Sequence, residues 1–351
     1  MVYYYDKRYN GLCNVCFSGD LNEFLLEEKK LNIENIHYEE LRLLHIAAKN
    51  TNIEIFNYLL SKNLDINSIN QYAETPLHIA CLAGNLQVIK LLLSNEKINT
   101  SKVDNFNRTA FYNACIVNNL EIIKYLLIDS RINAYISDNN NKSPFHIACA
   151  CNNIELVKYF LTNKNIDLHI SDKYNNTPFS NACRNNNINI VKLFLSDKRF
   201  NLYKDLKHTN VFIDLCYYGY INILECILNE KIINLDFKNY NNSNGLMVAI
   251  DSNKIEVVKL ILNDGRINPN EFNGYRTAFD MACEYKKFNI INLLMTDLRI
   301  KKLNNIKYDK NIQNIIKKYH SLKYKKFKNI YLLMACAEGN IEYIKNILKK
   351  R

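Results

Sequence analysis

Tryptophan is absent from the 351 residues, and glycine (8) and proline (4) are scarce. That scarcity excludes collagen-like and Pro/Gly-rich low-complexity chains. No apolar run reaches the roughly 18 residues that a membrane-spanning helix needs. The opening residues MVYYYDKRYN lack the apolar core of a secretory signal. Most of the chain also lacks a net charge: residues 1–300 hold 32 basic and 32 acidic side chains. The net charge of +11 therefore falls wholly on residues 301–351, which hold 14 basic and 3 acidic residues. A chain-wide basic protein is excluded. Eleven cysteines, an odd number in a chain this long, favour free thiols in a reducing compartment over a disulfide framework. An intracellular, cytoplasmic protein is expected.

What the chain does have is a hydrophobic fraction of 48%, enough for a sizeable core, and 57 asparagines interleaved with periodic Ile, Leu and Tyr. Asn, Ile, Lys and Tyr share AT-rich codons, so part of that excess is a matter of genome composition. Self-comparison then decides the architecture. TPLHIAC (75–81), TAFYNAC (109–115), SPFHIAC (143–149) and TPFSNAC (177–183) recur every 34 residues. A second apolar run follows each, as in LQVIKLLL (86–93). Its first residue can be traced through Leu21, Ile53, Leu86, Leu120, Ile154, Ile188, Ile221, Ile255, Phe288 and Ile341, in steps of 32–34 until a last step of 53.

Each unit reads as helix, tight turn, helix, loop. Leu77, Ile79, Ala80 and Cys81 pack the first helix of one unit; Val88, Ile89, Leu91, Leu92 and Leu93 form the buried face of the second. Thr75 can cap the first helix, with Pro76 at its first position where a missing N–H costs nothing. Asn210 or Asn244 can cap the units around 211–216 and 246–250, which lack Thr-Pro. Ala83-Gly84-Asn85, Val117-Asn118-Asn119 and Asn152-Asn153 link the helices and need a left-handed residue, which Gly and Asn tolerate best.

This pattern resembles the ankyrin repeat, a unit of about 33 residues with a TPLH motif. The resemblance implies an all-α solenoid of about ten helix-turn-helix units with finger loops, covering residues 1–300 and the final 22 residues. The composition of the units, rich in Asn, Ile, Lys and Tyr, resembles ankyrin proteins of large amoeba-infecting DNA viruses and of some protists. Family fingers carry D-x-x-G; here Asp104-x-x-Asn107, Asp138-x-x-Asn141 and Asp172-x-x-Asn175 put Asn at the positive-φ position. One unit cannot bury its own apolar face, so stacked neighbours supply the core.

The chemistry-bearing residues are mostly absorbed by the repeat. Cys16, Cys81, Cys115, Cys149, Cys183, Cys216, Cys283 and Cys336 occupy one slot, with Ala48 in a further unit; the slot wants a small apolar side chain. Cys13-x-x-Cys16 and His146-x-x-Cys149-x-Cys151 look metal-like, but each falls on a repeat helix with no second ligand pair at zinc spacing. His45, His78 and His146 share the fourth TPLH position, where the resemblance implies a bridge between adjacent fingers. No P-loop, dinucleotide fingerprint, serine elbow or paired-carboxylate motif is present. Neither enzyme activity nor a cofactor nor a metal is expected.

Binding candidates lie where the repeat stops dictating the residue: finger tips, the position before the cap and the two after the Cys slot. They are Tyr72, Phe106, Arg108, Tyr174, Arg184, Tyr217, Tyr218, Tyr240, Arg276 and Tyr285. Tyr and Arg are favoured at interface hot spots. The expected function is a scaffold or adaptor, itself a monomer, that binds a partner protein through its concave face and fingers. Residues 301–328 break the phase with ten Lys and one Asp, and Ile312, Ile315, Ile316, Tyr319 and Leu322 recur at helical spacing. This basic amphipathic segment either docks on the array as a degenerate unit or binds an anionic partner, a nucleic acid or membrane surface, through Lys317, Lys318, Lys323, Lys325 and Lys326. A groove-bound helix is the third possibility. Residues 329–351 read as a terminal helix pair.

Overall fold

The structure is a computed structural model that describes residues 10–30, 43–49, 53–230, 235–297, 299–300 and 312–314. The terminal pair, Cys336 and Lys317, Lys318, Lys323, Lys325 and Lys326 lie outside the described residues. The chain divides into two compact units, Met1–Thr209 and Asn210–Arg351.

Antiparallel helix pairs build each unit. In the first they are α1 (Asn10–Ser18) and α2 (Leu21–Lys30), α3 (Leu43–Lys49) and α4 (Ile53–Ser61), α5 (Pro76–Ala83) and α6 (Leu86–Ser94), α7 (Ala110–Val117) and α8 (Leu120–Ile128), α9 (Pro144–Ala150) and α10 (Ile154–Thr162), and α11 (Pro178–Arg184) and α12 (Ile188–Ser196). A lone helix, α13 (Leu202–His208), closes that unit. The second holds α14 (Val211–Tyr218) and α15 (Ile221–Asn229), α16 (Gly245–Asp251) and α17 (Ile255–Asp264), and α18 (Ala278–Glu284) and α19 (Phe288–Thr296). Among the described residues there is no named strand; three isolated bridges, Val103 with Thr109, Lys238 with Asn244 and Phe272 with Thr277, pinch the bases of fingers.

Local rules set each pair. Thr75 Oγ1 accepts from the His78 amide at 3.4 Å, the His78 ring returns to the Thr75 amide at 3.2 Å, and Pro76 starts the helix. The first helix of a pair closes on a left-handed residue: Gly84 (φ 73°), Asn118 (φ 59°), Asn152 (φ 57°). In three pairs of the first unit an Asn (Asn85, Asn119, Asn153) then caps the second helix, as Asn85 Oδ1 does for the Val88 amide at 3.2 Å. Val88, Ile89, Leu92 and Leu93 are buried along α6, each such side chain worth about 1.5–3 kcal/mol of burial. Ile79 and Leu91 are only half-buried, because they stand at the edge of the apolar stripe.

The cysteine slot behaves as expected. Cys16, Cys81, Cys115, Cys149, Cys183, Cys216 and Cys283 are buried free thiols. Burial pushes Cys16 and Cys283 up to about 12, so these thiols stay protonated and act as apolar packing. Ile250 fills the slot in the α16 unit, where Gly245 stands in the proline position. A Cβ on Gly245 would lie 2.8 Å from Phe212 Cε1 and 2.9 Å from Cys216 Sγ, so glycine lets the backbone approach its neighbour. Where Phe replaces the Leu of the motif, a buried aromatic ladder forms: Phe145, Phe194, Phe200 and Phe179 follow at centroid spacings of 5.6, 5.1 and 4.7 Å.

Two features depart from the sequence reading. Asn210 caps nothing with its side chain; its φ and ψ (−81°, 18°) depart from the extended backbone of Asn244, whose side chain does cap. And no finger precedes α14; α13 takes that place and drives the buried Asp205 carboxylate under the preceding cap. Asp205 Oδ1 accepts from Thr177 Oγ1 at 2.7 Å and Oδ2 faces His169 Nδ1 at 3.2 Å. The Asn201 amide donates to His169 Nε2 at 3.2 Å, so Nδ1 carries the proton that reaches Asp205.

Two stability experiments check this packing. Cys149→Asp should lower urea stability by about 2 kcal/mol or more by burying a charge, while Cys149→Ala is mild; equal, negligible effects would contradict the assignment. Asn113 is fully buried on α7 with both amide atoms unbonded, where other units carry Ile79 and Ile147. Asn113→Ile should raise the urea midpoint, gaining about 1 kcal/mol or more by removing unmet polar groups.

Candidate functional site

The fingers begin with an acceptor side chain that folds the loop over itself. Asp104 Oδ1 accepts from the amides of Phe106 (2.8 Å) and Arg108 (2.9 Å), and Asp172 Oδ1 does the same for Tyr174 and Asn176 at 2.8 Å each. The turn ends in a positive-φ residue: Asn107 (62°), Asn141 (58°), Asn175 (59°), Asn242 (56°) and, against steric preference, Ala73 (60°). Neighbouring fingers share backbone bonds of 2.9 Å from Asn105 N to Tyr72 O, Asn139 N to Phe106 O and Lys173 N to Asn140 O.

The TPLH histidines lock this row to the helices beneath. The Thr75 amide can only donate, so His78 Nδ1 accepts and Nε2 carries the proton that reaches the Arg108 carbonyl at 2.9 Å. His146 repeats the arrangement with Ser143 and the Asn176 carbonyl at 3.0 Å. Burial holds both imidazoles below the ordinary histidine range. Tyr112 stands in the same slot and reaches Asp138 Oδ2 with its hydroxyl at 2.9 Å.

With their backbones tied, the tips leave large side chains in solvent. Tyr72, Phe106 and Tyr174 are more than half exposed, and Tyr240 is 94% exposed. Tyr217 and Tyr218 end α14 with rings 5.3 Å apart and are exposed. Three arginine candidates are partly engaged within the fold. Arg108 Nε donates to Asp104 Oδ2 at 2.7 Å and its guanidinium stacks 4.7 Å from the Phe106 centroid. Arg184 donates to Asn176 Oδ1. Arg276 pairs with Glu284, donates to the Tyr285 hydroxyl at 2.7 Å and lies 5.0 Å from that ring's centroid.

Two grooves gather some of these residues. In the first unit, a groove of about 520 Å³ brings Arg108 and Tyr174 together with Tyr112, Asp138 and Ile147. In the second, a groove of about 1000 Å³ brings Arg276 and Tyr285 together with Phe272, Tyr275 and Asp280. Tyr72, Phe106, Arg184, Tyr217, Tyr218 and Tyr240 line neither. Tyr275 (88% exposed), Phe272 and Asp280 were not among the sequence candidates. The signal was present: the finger at Asn273 is one residue shorter than its relatives, which moves Tyr275 into the tip position.

A family model for ankyrin repeats matches residues 44–138, 130–210 and 212–306. The chain belongs to the ankyrin-repeat family. Its ankyrin units also resemble part of protein phosphatase 1 regulatory subunit 27 from Mus musculus, 32% identical over 78 residues that make up 22% of this chain and 51% of that protein. The Homo sapiens protein matches with the same identity and coverage. The chain spans about half the length of these curated relatives. Among the described residues, no helix of the ankyrin array is long and apolar enough to cross a membrane.

The finger-locking histidines give the array a pH signature. A base whose folded pKa is depressed contributes stability that is present above the ordinary value of 6.5 and is lost as pH falls below it. Protonation would also set an Nδ1–H against the Thr75 amide. The melting temperature should therefore drop between pH 7 and 5, and the double variant His78→Gln, His146→Gln should show a shallower slope over that interval in a pH series of thermal melts.

Proposed function

We propose that this ankyrin chain is a non-catalytic adaptor that holds a partner protein on its exposed finger tips and inner-helix grooves. The observation that carries the reading is the division of labour in the fingers. The fingers of the first unit fold on their own side-chain acceptors and bond to one another through the backbone, and the finger at Asn239 is joined to the next by Asn273 and Ser243, yet Tyr72, Phe106, Tyr174 and Tyr240 stay in solvent. The finger backbones are held before binding, so little backbone ordering entropy is lost on association. The array is neutral over residues 1–300, which fits recognition by shape and hydrogen bonding rather than by a broad field.

The protein works as a monomer, and its buried free thiols fit a reducing, intracellular setting. By sequence alone, residues 301–328 read as a basic insertion or degenerate repeat and 329–351 as an ankyrin-like segment. The relatives are named as regulatory subunits of a phosphatase, a role that supports an adaptor reading by analogy alone.

Capture from lysate tests this with three proteins: the full chain, a version with Tyr72, Phe106, Tyr174, Tyr240 and Tyr285 changed to Ala, and a version without residues 301–328. The alanine version should lose its captured proteins while keeping its helical circular dichroism; the deletion should retain them. If capture instead disappears with 301–328 and the helicity persists, the adaptor surface is wrong. Steeply salt-dependent binding of DNA or anionic vesicles by that segment would then assign the function to it.

A further inference from the structure

In the last described helix pair, two polar atoms are buried with no hydrogen-bond partner among the described residues. Asp280 stands in the slot that His78 and His146 fill elsewhere. Its Oδ2 accepts from the Thr277 amide at 2.9 Å and the Thr277 hydroxyl at 2.7 Å, completing a capping box. Its Oδ1 has no partner, although the residue is only 6% exposed. Arg276 is the equivalent of Arg108, whose Nε donates to Asp104. Asn273 replaces that aspartate and spends its side chain on the Tyr275 and Arg276 amides and on Ser243 Oγ at 3.1 Å. Arg276 turns outward to Glu284 and Tyr285 instead, and its Nε is left without an acceptor.

Both residues line the 1000 Å³ groove, beside the aromatic side chains of Phe272, Tyr275 and Tyr285. A histidine in this slot offers an N–H to the carbonyl of the next finger; a carboxylate cannot, because both would be acceptors. The substitution therefore withdraws the slot from stacking and leaves an acceptor that calls for a donor. A buried carboxylate favours a charged donor, since charge-assisted hydrogen bonds are the stronger kind. The unmet Nε–H calls for an acceptor, and a backbone carbonyl supplies one without disturbing the Arg276–Glu284 pair.

We propose that this groove binds an extended segment of the partner protein, with a Lys or Arg side chain on Asp280 Oδ1 and a neighbouring backbone carbonyl on Arg276 Nε. The proposal rests on the adaptor reading and names the chemistry of the partner. The aliphatic stem of the basic residue lies along the aromatic wall, where Tyr275 and Tyr285 also attract its cation. Small rotamer changes of the kind common at interfaces admit the donor to the groove floor.

The test pans the full chain and an Asp280→Asn variant against a displayed library of random 12-residue peptides. The variant keeps an oxygen for the Thr277 cap and turns the buried, unbonded atom from acceptor to donor. Unfolding in urea confirms that it remains folded, and Asp280→His, the residue of the TPLH units, serves as a second variant if it does not. Peptides selected by the unaltered chain should share a basic residue. Replacing that residue by Gln, or Asp280 by Asn, should each weaken binding at least about tenfold, the scale of one charge-assisted hydrogen bond. Selected peptides without a basic residue, or basic peptides that bind Asp280→Asn as well as the unaltered chain, would overturn the proposal while leaving the adaptor reading intact. Selection of no peptide by the folded chain would overturn it too, and the lysate capture then decides the adaptor reading separately.

Discussion

The constraint on which the rest depends is that each helix pair leaves carbonyls it cannot satisfy, and the next pair in the chain must supply the donors. At the far end of the second helices this is done by a D-x-R clamp. Asp129 holds Arg131 through a fork, and Arg131 then donates to the Leu93 carbonyl at 2.5 Å and the Asn95 carbonyl at 3.1 Å, one pair back. Asp197 with Arg199, Asp264 with Arg266 and Asp297 with Arg299 repeat it. The guanidinium holds the Asp129 and Asp197 carboxyls below their ordinary range. At the near end, Asn187 Nδ2 reaches the Cys149 and Ala150 carbonyls at 2.8 and 3.0 Å, and Lys287 does the same for Ile250 and Asp251. At the finger the histidines do it. All three ties span some 30 to 38 residues, so the repeat length is set by polar bookkeeping as much as by apolar packing.

Because the tie matters more than the residue, the slot tolerates exchange if the partner changes with it. Tyr112 is longer than histidine and reaches past the next finger's backbone to Asp138. Ser180 is too short to reach anything beyond its own cap, and there the finger is replaced by α13, whose Asp205 comes to Thr177. Asp280 is the case where the residue changed and no described partner followed. A buried acceptor without a donor costs about 1–3 kcal/mol. Asn113 carries such a cost in the midst of the stack; at Asp280 the same cost stands beside a groove, where a ligand can relieve it.

Much of this was legible in the sequence, for reasons that can be named. The 34-residue phase, the capping Thr, the asparagines at positive φ and the buried cysteines are local or periodic properties, and each recurs often enough to be read as a rule. The D-x-R clamp also recurs, but at the start of a loop, where Asp and Arg look like solvated surface. Helix α13 was missed because it replaces a finger once only, so no repetition announced it. Asp205 and His169 are neighbours only because of that exchange. The site was half legible: exposed aromatic tips follow from their place in the repeat, whereas the engagement of Arg108 with Asp104 and Phe106 needed coordinates. Tyr275 escaped notice because a one-residue deletion shifts the finger's numbering.

Recognition and stability are therefore nearly separable in this molecule. The side chains of tip residues such as Tyr72, Tyr174 and Tyr240 take no part in the ties that hold the stack, so they can change with the partner at little cost to the fold. Positions under the tips cannot, since His78, Tyr112 and His146 serve the stack directly. Residues 273–285 are where the separation fails. Asn273 gives up the aspartate that would hold its arginine, Asp280 cannot offer the N–H that His78 and His146 give to the next finger, and Asp280 and Arg276 line one groove. If selection acted on stacking alone, an Asp at 273 would hold Arg276 as Asp104 holds Arg108, and a His at 280 would offer the donor that His78 and His146 offer in their units. That neither is present argues that this stretch of the array answers to a ligand rather than to its neighbours.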